Sequence, residues 1–199
     1  MLVAWTARHA RNHQTRIVRK VAELDAGELL FLISCHEIVR AEVRARFGAT
    51  LVIHASDLPV GRGWSPHIWQ ILEGKNEIPV TLLQAEDGVD SGAIWAQTVI
   101  RLQGHEMAGE INEALFAAES ELMDQALELA ATPRPRAQDS RAPTYYPKRS
   151  RTDSELDPNK TIAEQFDLLR VCDNDRYPAF FRFRGHSYIV KIEKGSDHE

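Results

Sequence analysis

Cysteine is nearly absent. The 199 residues hold two, Cys35 and Cys172. That excludes a disulfide framework, forms no metal-ligating spacing and points to a reducing compartment, the cytoplasm. Positive charge is also in deficit: Lys and Arg number 24 against 29 Asp and Glu, a net charge of −5. A broad basic face for nucleic acid is therefore not expected. No apolar run approaches the roughly 20 residues that span a bilayer, so no membrane association is expected. Met1 to His9 shows no basic stretch followed by an apolar core and reads as no secretory signal. There is no internal repeat and no low-complexity tract. What is present is globular: 43% hydrophobic and 27% charged residues, enough for one domain with a short appendage.

Periodicity organises the chain. Arg16 to Val21 alternates weakly, as an edge strand would. Leu29-Leu30-Phe31-Leu32-Ile33 and Thr50-Leu51-Val52-Ile53 are short apolar runs of strand length, suited to strands buried on both faces. Between them, Ile38, Val39, Val43 and Phe47 fall on one side of a helix over Glu37–Phe47, with Gly48 as its stop. This strand–helix–strand order implies a parallel pairing. Ser65-Pro66 marks a helix start, with Ser65 as N-cap, and Gly74 its end. Strands are expected over Ile78–Ala85 and Ala93–Leu102. A long amphipathic helix is expected over Glu106–Ala131. Residues 133–160 then read as a linker or extended segment. A helix over Thr161–Arg170 and a hairpin about Gly185 complete a C-terminal unit, 161–199.

The densest chemistry lies in His54-Ala55-Ser56-Asp57-Leu58-Pro59-Val60-Gly61-Arg62-Gly63-Trp64-Ser65-Pro66. It begins where a buried strand ends, and open parallel sheets bind ligands beyond such strand ends. An imidazole there can carry a proton near neutral pH. Taken alone, His54 reads first as a structural histidine, and Asp90 in Gly88-Val89-Asp90-Ser91-Gly92 as a turn residue. Gly61-Arg62-Gly63 is compatible with a phosphate contact through Arg62 and equally with a surface turn. His54 and His67 make no His-Glu-x-x-His pattern, and no metal is expected.

Together these segments change the balance. His54, Ser56, Leu58, Pro59, Gly74, Asp90 and Gly92 resemble, in order and spacing, the formyltransferases that use 10-formyltetrahydrofolate. Over nearly the whole chain the sequence is most similar to sugar N-formyltransferases of nonulosonic (pseudaminic-type) acid pathways. That likeness rests on Gly61–Pro66, Tyr146–Arg149, Asp153–Asp157, Leu169–Phe181 and Tyr188–Ile192. The resemblance implies an α/β fold: a Rossmann-like formyltransferase core over 1–132 with a mostly parallel sheet, shortened at its N-terminus, plus the C-terminal helix and β-hairpin. The family's first strand and helix are expected to be missing. It further implies formyl transfer from 10-formyltetrahydrofolate, with no metal, to the amine of an amino-deoxysugar, expected to be nucleotide-linked. Methionyl-tRNA formyltransferases carry a larger C-terminal barrel, so a small amine is the expected acceptor.

In that comparison His54 moves a proton or stabilises the oxyanion, and Asp90 orients His54 and helps take the amine proton. Ser34, Cys35, His36, Gly88 and Val89 fall beside the folate; a strand-to-helix connection is an equal reading of the first three. Ser56, Arg62, Trp64, Asn174 and Tyr177 fall in the substrate site, although Asn174 and Tyr177 read as well as anchors of the hairpin. One departure is plain. The family's Asn two positions before the His is Val52 here, whose side chain donates nothing to an oxyanion. Two rival readings follow: a formyltetrahydrofolate hydrolase on the same scaffold, and a non-catalytic folate- or sugar-binding relic. Phe180, Phe181 and Phe183 read as packing, with a homodimer interface as the second reading.

Overall fold

The structure is a computed structural model and describes residues 1–195. The expected C-terminal unit runs to residue 199, and its last four residues lie outside this range.

The first element is a helix, α1 (Leu2–His9), where no helix was expected ahead of the first apolar run. Its buried Trp5 donates Nε1–H to Asp124 at 2.7 Å, and Arg8 and His9 meet the same carboxylate. The edge strand expected over 16–21 does not form. The main-chain N–H groups of Arg19 and Lys20 donate instead to the Glu23 carboxylate. That local bond competes with sheet pairing and closes a 3₁₀ turn, Val21–Glu23.

The two apolar runs form β1 (Gly27–Leu32) and β2 (Phe47–His54). They pair in parallel, with Leu32 opposite Val52. The helix expected between them shrinks to one turn, α2 (Ala41–Arg44). Phe47 is drawn into β2 opposite Gly27, and Ile38 stays 85% exposed. Gly48 is no helix stop. A Cβ there would lie 2.8 Å from the Glu28 carbonyl oxygen, so glycine lets β1 and β2 approach.

Next come β3 (Arg62–Gly63), α3 (Pro66–Leu72), β4 (Glu77–Gln84) and β5 (Ile94–Arg101). Ser65 occupies the position before α3 with φ +44°, and its hydroxyl makes no capping bond. β4 runs antiparallel to β2, and β5 antiparallel to β4. The main sheet, in the order β1-β2-β4-β5, therefore has three strands pointing one way and β4 inserted against them. α4 (Ala108–Leu129) covers one face. Leu51, Ile78, Val80, Leu82, Ile100 and Leu122 form the core between them. Alternation sends Thr50, His54 and Thr81 to the opposite face. All three are buried although polar.

Beyond α4 lie β6 (Tyr145–Tyr146), α5 (Phe166–Val171), and the hairpin of β7 (Ala179–Phe183) and β8 (His186–Val190). A second small core, Leu156, Leu169, Cys172 and Ala179 with Phe181 and Val190, holds this unit together.

Glu119 is buried within α4, and its Oε2 has no hydrogen-bond partner among the described residues. Burial pushes its carboxyl up to about 7. The native state keeps this proton to higher pH than the unfolded chain does, so stability falls as pH rises from the ordinary 4.5 toward 7. Glu119→Gln should raise the melting temperature at pH 8, by up to about 3 kcal/mol of stability. The gain should vanish near pH 4.5. Thermal melts at both pH values check this.

Candidate active site

His54 ends β2 on the polar face, opposite Thr81. Thr81 donates its hydroxyl to the Ser56 carbonyl at 2.7 Å and accepts from Gln97 Nε2 at 2.9 Å. Gln97 in turn accepts from the Arg136 guanidinium. A chain of hydrogen bonds thus runs under the strand end. Val52 sits two residues earlier on the same face, flanked across the sheet by Leu32 and Leu83. No side chain in that row can donate to an oxyanion.

The imidazole has two different neighbours. Nε2 lies 2.8 Å from the Gly61 carbonyl oxygen. A carbonyl only accepts, so Nε2 carries the hydrogen. Nδ1 faces Asp90 Oδ2 at 3.6 Å, a charge contact longer than a hydrogen bond. Asp90 Oδ2 instead accepts the Gly63 N–H at 2.9 Å. The ring is therefore oriented by the Gly61 carbonyl. Its remaining lone pair points toward a carboxylate whose own place is set by a main-chain amide. A proton arriving on Nδ1 would put a cation beside that carboxylate, with both side chains nearly excluded from water, at 7% and 12% exposure.

This geometry needs unusual backbone. Gly61 and Gly63 have φ of +78° and +100°, and a Cβ on Gly63 would lie 2.5 Å from the Tyr146 carbonyl oxygen. Asp90 itself sits at φ +50°.

The segment read as a linker is extended in its first half, and it is tied down. Arg136 exchanges both main-chain hydrogen bonds with Ile94. Gln138 joins Arg62 to the Asp90 loop. Arg141 pairs with Asp57 at 2.8 Å. Thr144 Oγ1 accepts the Gly61 N–H at 2.8 Å. β6 then pairs in parallel with β3. Tyr146 stacks on Trp69 and donates its hydroxyl to Glu73. Burial and that carboxylate push the phenol up to about 12, so it remains a donor. This strap was missed in the sequence because it is polar and lacks periodicity. Its one signal was Tyr146-Pro147-Lys148-Arg149, noted only for resemblance.

The other expected site residues divide. Ser34, at φ +48°, and Cys35 are exposed beyond β1, with Cys35 Sγ donating to the Glu37 carbonyl. His36 stacks on Trp64, with ring centroids 5.6 Å apart, and Lys148 Nζ lies 5.0 Å from the same ring. Gly88 and Val89 share the Asp90 loop, Val89 being exposed. Ser56 is buried, and among the described residues its Oγ and Arg62 Nε have no hydrogen-bond partner. Among the described residues the side chains of Asn174 and Tyr177 make no hydrogen bond to the His54 or Asp90 loops. Asn174 holds Ile192 through both ends of its amide. Tyr177 is exposed, with the Arg176 guanidinium over its ring. Their hairpin-anchoring alternative describes Asn174. Sequence reasoning also passed over His67 except as a metal ligand. Burial, then the neighbouring His54 imidazole, push it down to about 4, so it stays neutral behind the site.

Comparison with known proteins fits this α/β arrangement. Residues 3–127 match the formyl transferase family, and the chain belongs to that family. A methionyl-tRNA formyltransferase of Thiobacillus denitrificans is 36% identical over 107 residues, which is 54% of this chain and 35% of that protein. The chain spans 35% to 47% of the lengths of such curated relatives. Among solved structures, a methionyl-tRNA formyltransferase from Clostridium thermocellum shares the fold at TM-score 0.76 and 23% identity, covering 99% of this chain and 88% of that one. A 4-N formyltransferase from Francisella tularensis does so at 0.70 and 21%, covering 85% and 72%. HypX from Aquifex aeolicus, solved with tetrahydrofolic acid, does so at 0.71 and 20%, covering 83% and 29%. Among the described residues no helix is long and apolar enough to cross a membrane.

Gly63→Ala should separate β3 from β6 and pull the amide from Asp90. Its destabilisation, about 1–3 kcal/mol by urea unfolding, should exceed that of Gly109→Ala, where a Cβ meets nothing within 4 Å. His67 supplies a pH test. The unfolded chain takes up its proton below 6.5 and the native state only near 4, so acid favours unfolding over that interval. His67→Gln should lose less stability than the parent between those pH values in urea titrations.

Proposed function

We propose that this protein is an N-formyltransferase, moving a formyl group from 10-formyltetrahydrofolate to the amine of an amino-deoxysugar carried on a nucleotide. The observation that carries the reading is the His54–Asp90 pair, 3.6 Å apart, at the end of a sheet strand with Nε2 already engaged. The acceptor nitrogen attacks the formyl carbon and a carbon–nitrogen bond forms. The bond to the folate nitrogen then breaks, and that nitrogen takes up a proton. The amine must shed a proton, and Nδ1 is the ring atom open to receive it, with Asp90 stabilising the imidazolium.

The surroundings suit both substrates. Ser34 to His36 and Gly88–Val89 present main chain and short side chains on the two loops flanking the pair, where a flat pterin can lie. Among the described residues Ser56 Oγ and Arg62 Nε are buried without partners. Such groups are costly unless something satisfies them, and a polyhydroxyl substrate would. The half-exposed Trp64, stacked with the His36 ring, and Lys148 Nζ 5.0 Å from its centroid put aromatic surface and a cation together, which supports a nucleotide-linked acceptor. The tetrahydrofolic acid in the HypX structure and the Francisella 4-N formyltransferase support the donor and the amine class respectively. The curated relatives are named for methionyl-tRNA, but the net charge of −5 favours a small acceptor. Val52 keeps a second reading in view: without the amide donor, water in place of the amine would make the protein a formyltetrahydrofolate hydrolase.

Incubating the protein with 10-formyltetrahydrofolate and, separately, nucleotide-linked amino sugars, methionyl-tRNA or buffer, with mass analysis of products, decides among these. A sugar formamide is expected. Free formate alone would indicate the hydrolase, a formylated aminoacyl-tRNA the acceptor of the relatives, and folate binding without turnover a relic. His54→Asn and Asp90→Asn should each lower turnover about 10²–10⁴-fold while far-ultraviolet circular dichroism stays unchanged. Full activity in both variants would remove the assigned roles.

A further inference from the structure

Gln138 lies in the strap, 48 residues from Asp90 and 76 from Arg62. Its Nε2 donates to the carbonyl oxygens of Asp90 at 2.7 Å and Gly92 at 3.0 Å. Its Oε1 accepts from Arg62 Nη2 at 2.7 Å. One half-buried amide therefore ties the loop that bears the carboxylate to the tripeptide that contacts both members of the pair. Asp90 needs such a tie. Its φ of +50° is a conformation a non-glycine residue keeps only where its surroundings over-determine it. Next to it, Gly92 is pressed so close to Gln84 that a Cβ would meet the carbonyl oxygen at 1.9 Å. The Asp90 side chain is held from one direction by the Gly63 N–H, and its main chain from the other by Gln138.

We infer that Gln138 is a positioning residue: it fixes the Asp90 carboxylate at its distance from His54 by holding the Asp90 carbonyl while anchoring Arg62. This inference rests on the proposed function for its kinetic consequence but not for its structural one. The alternative is a plain staple that only keeps the strap on the body.

Gln138→Glu separates the two. The new carboxylate keeps an acceptor for Arg62, so the staple survives. It cannot donate to the Asp90 and Gly92 carbonyls, so the positioning bonds are lost. Gln138→Leu removes both. Tyr146→Phe serves as the control, because the lost hydroxyl ties the strap to Glu73 and bonds neither Asp90 nor Arg62. In the full chain, amide hydrogen exchange at Gly63 reports the Asp90 contact directly. In Gln138→Glu it should accelerate about tenfold, and kcat with 10-formyltetrahydrofolate and the accepted amine should fall about 10²-fold. KM for the donor should move less than about threefold. Tyr146→Phe should leave kcat within about threefold of the parent. Unchanged Gly63 exchange in Gln138→Glu would overturn the inference, as would an equal loss of kcat in Tyr146→Phe. If the parent protein transfers no formyl group, the proposed function fails, and Gly63 exchange alone then decides the role of Gln138.

Discussion

Two main-chain groups of one tripeptide hold the candidate site together. The Gly61 carbonyl accepts from His54 Nε2, and the Gly63 N–H donates to Asp90. In each bond the tripeptide's own group is main chain and cannot rotate away. Both depend on a backbone path that only glycine follows easily, through φ values of +78° and +100°. The consequence is chemical. Fixing the hydrogen on Nε2 leaves Nδ1 as the open atom of the imidazole and points it at a carboxylate. A His and an Asp placed by flexible loops would not share this fixed relation.

The same tripeptide is one half of a small parallel pairing whose other half comes from the strap. The polar face of the sheet therefore has a polar cover. Arg136, Gln138, Arg141 and Thr144 each meet a partner around the His54 and Asp90 loops. The opposite face is ordinary apolar packing under α4. This division of labour explains why buried polar residues gather on one side of the sheet. There His54 and Thr81 find partners, while among the described residues Thr50 Oγ1, Ser56 Oγ and Arg62 Nε have none.

Much of this was legible in the sequence where one strong local signal stood alone. The apolar runs of β1 and β2, the start of α3 at Pro66, the long α4 and the terminal hairpin all follow from periodicity and breakers. The errors came where signals compete. Ile38, Val39, Val43 and Phe47 do share a helical face, yet strand pairing of Phe47 with Gly27 outweighs a short helix. Arg16 to Val21 alternates, yet the Glu23 carboxylate just past its end captures the amides of Arg19 and Lys20. Asn174 and Tyr177 looked like site residues because their segment is rich in polar and aromatic types. The tertiary arrangement spends Asn174 on Ile192.

The sequence by itself determined the alternation of strands and helices and the polar loop that follows the second strand, which are written in local residue order. That His54 and the distant Asp90 act as a pair was implied only by the family resemblance. The tertiary structure alone decided that β4 opposes its neighbours. It also decided that the Gly61 carbonyl rather than Asp90 holds the ring, and that a non-periodic stretch some 80 residues downstream closes the site. Hydrogen bonds between such distant segments leave no period and no spacing in the chain. They exist only once folding has brought their donors and acceptors face to face.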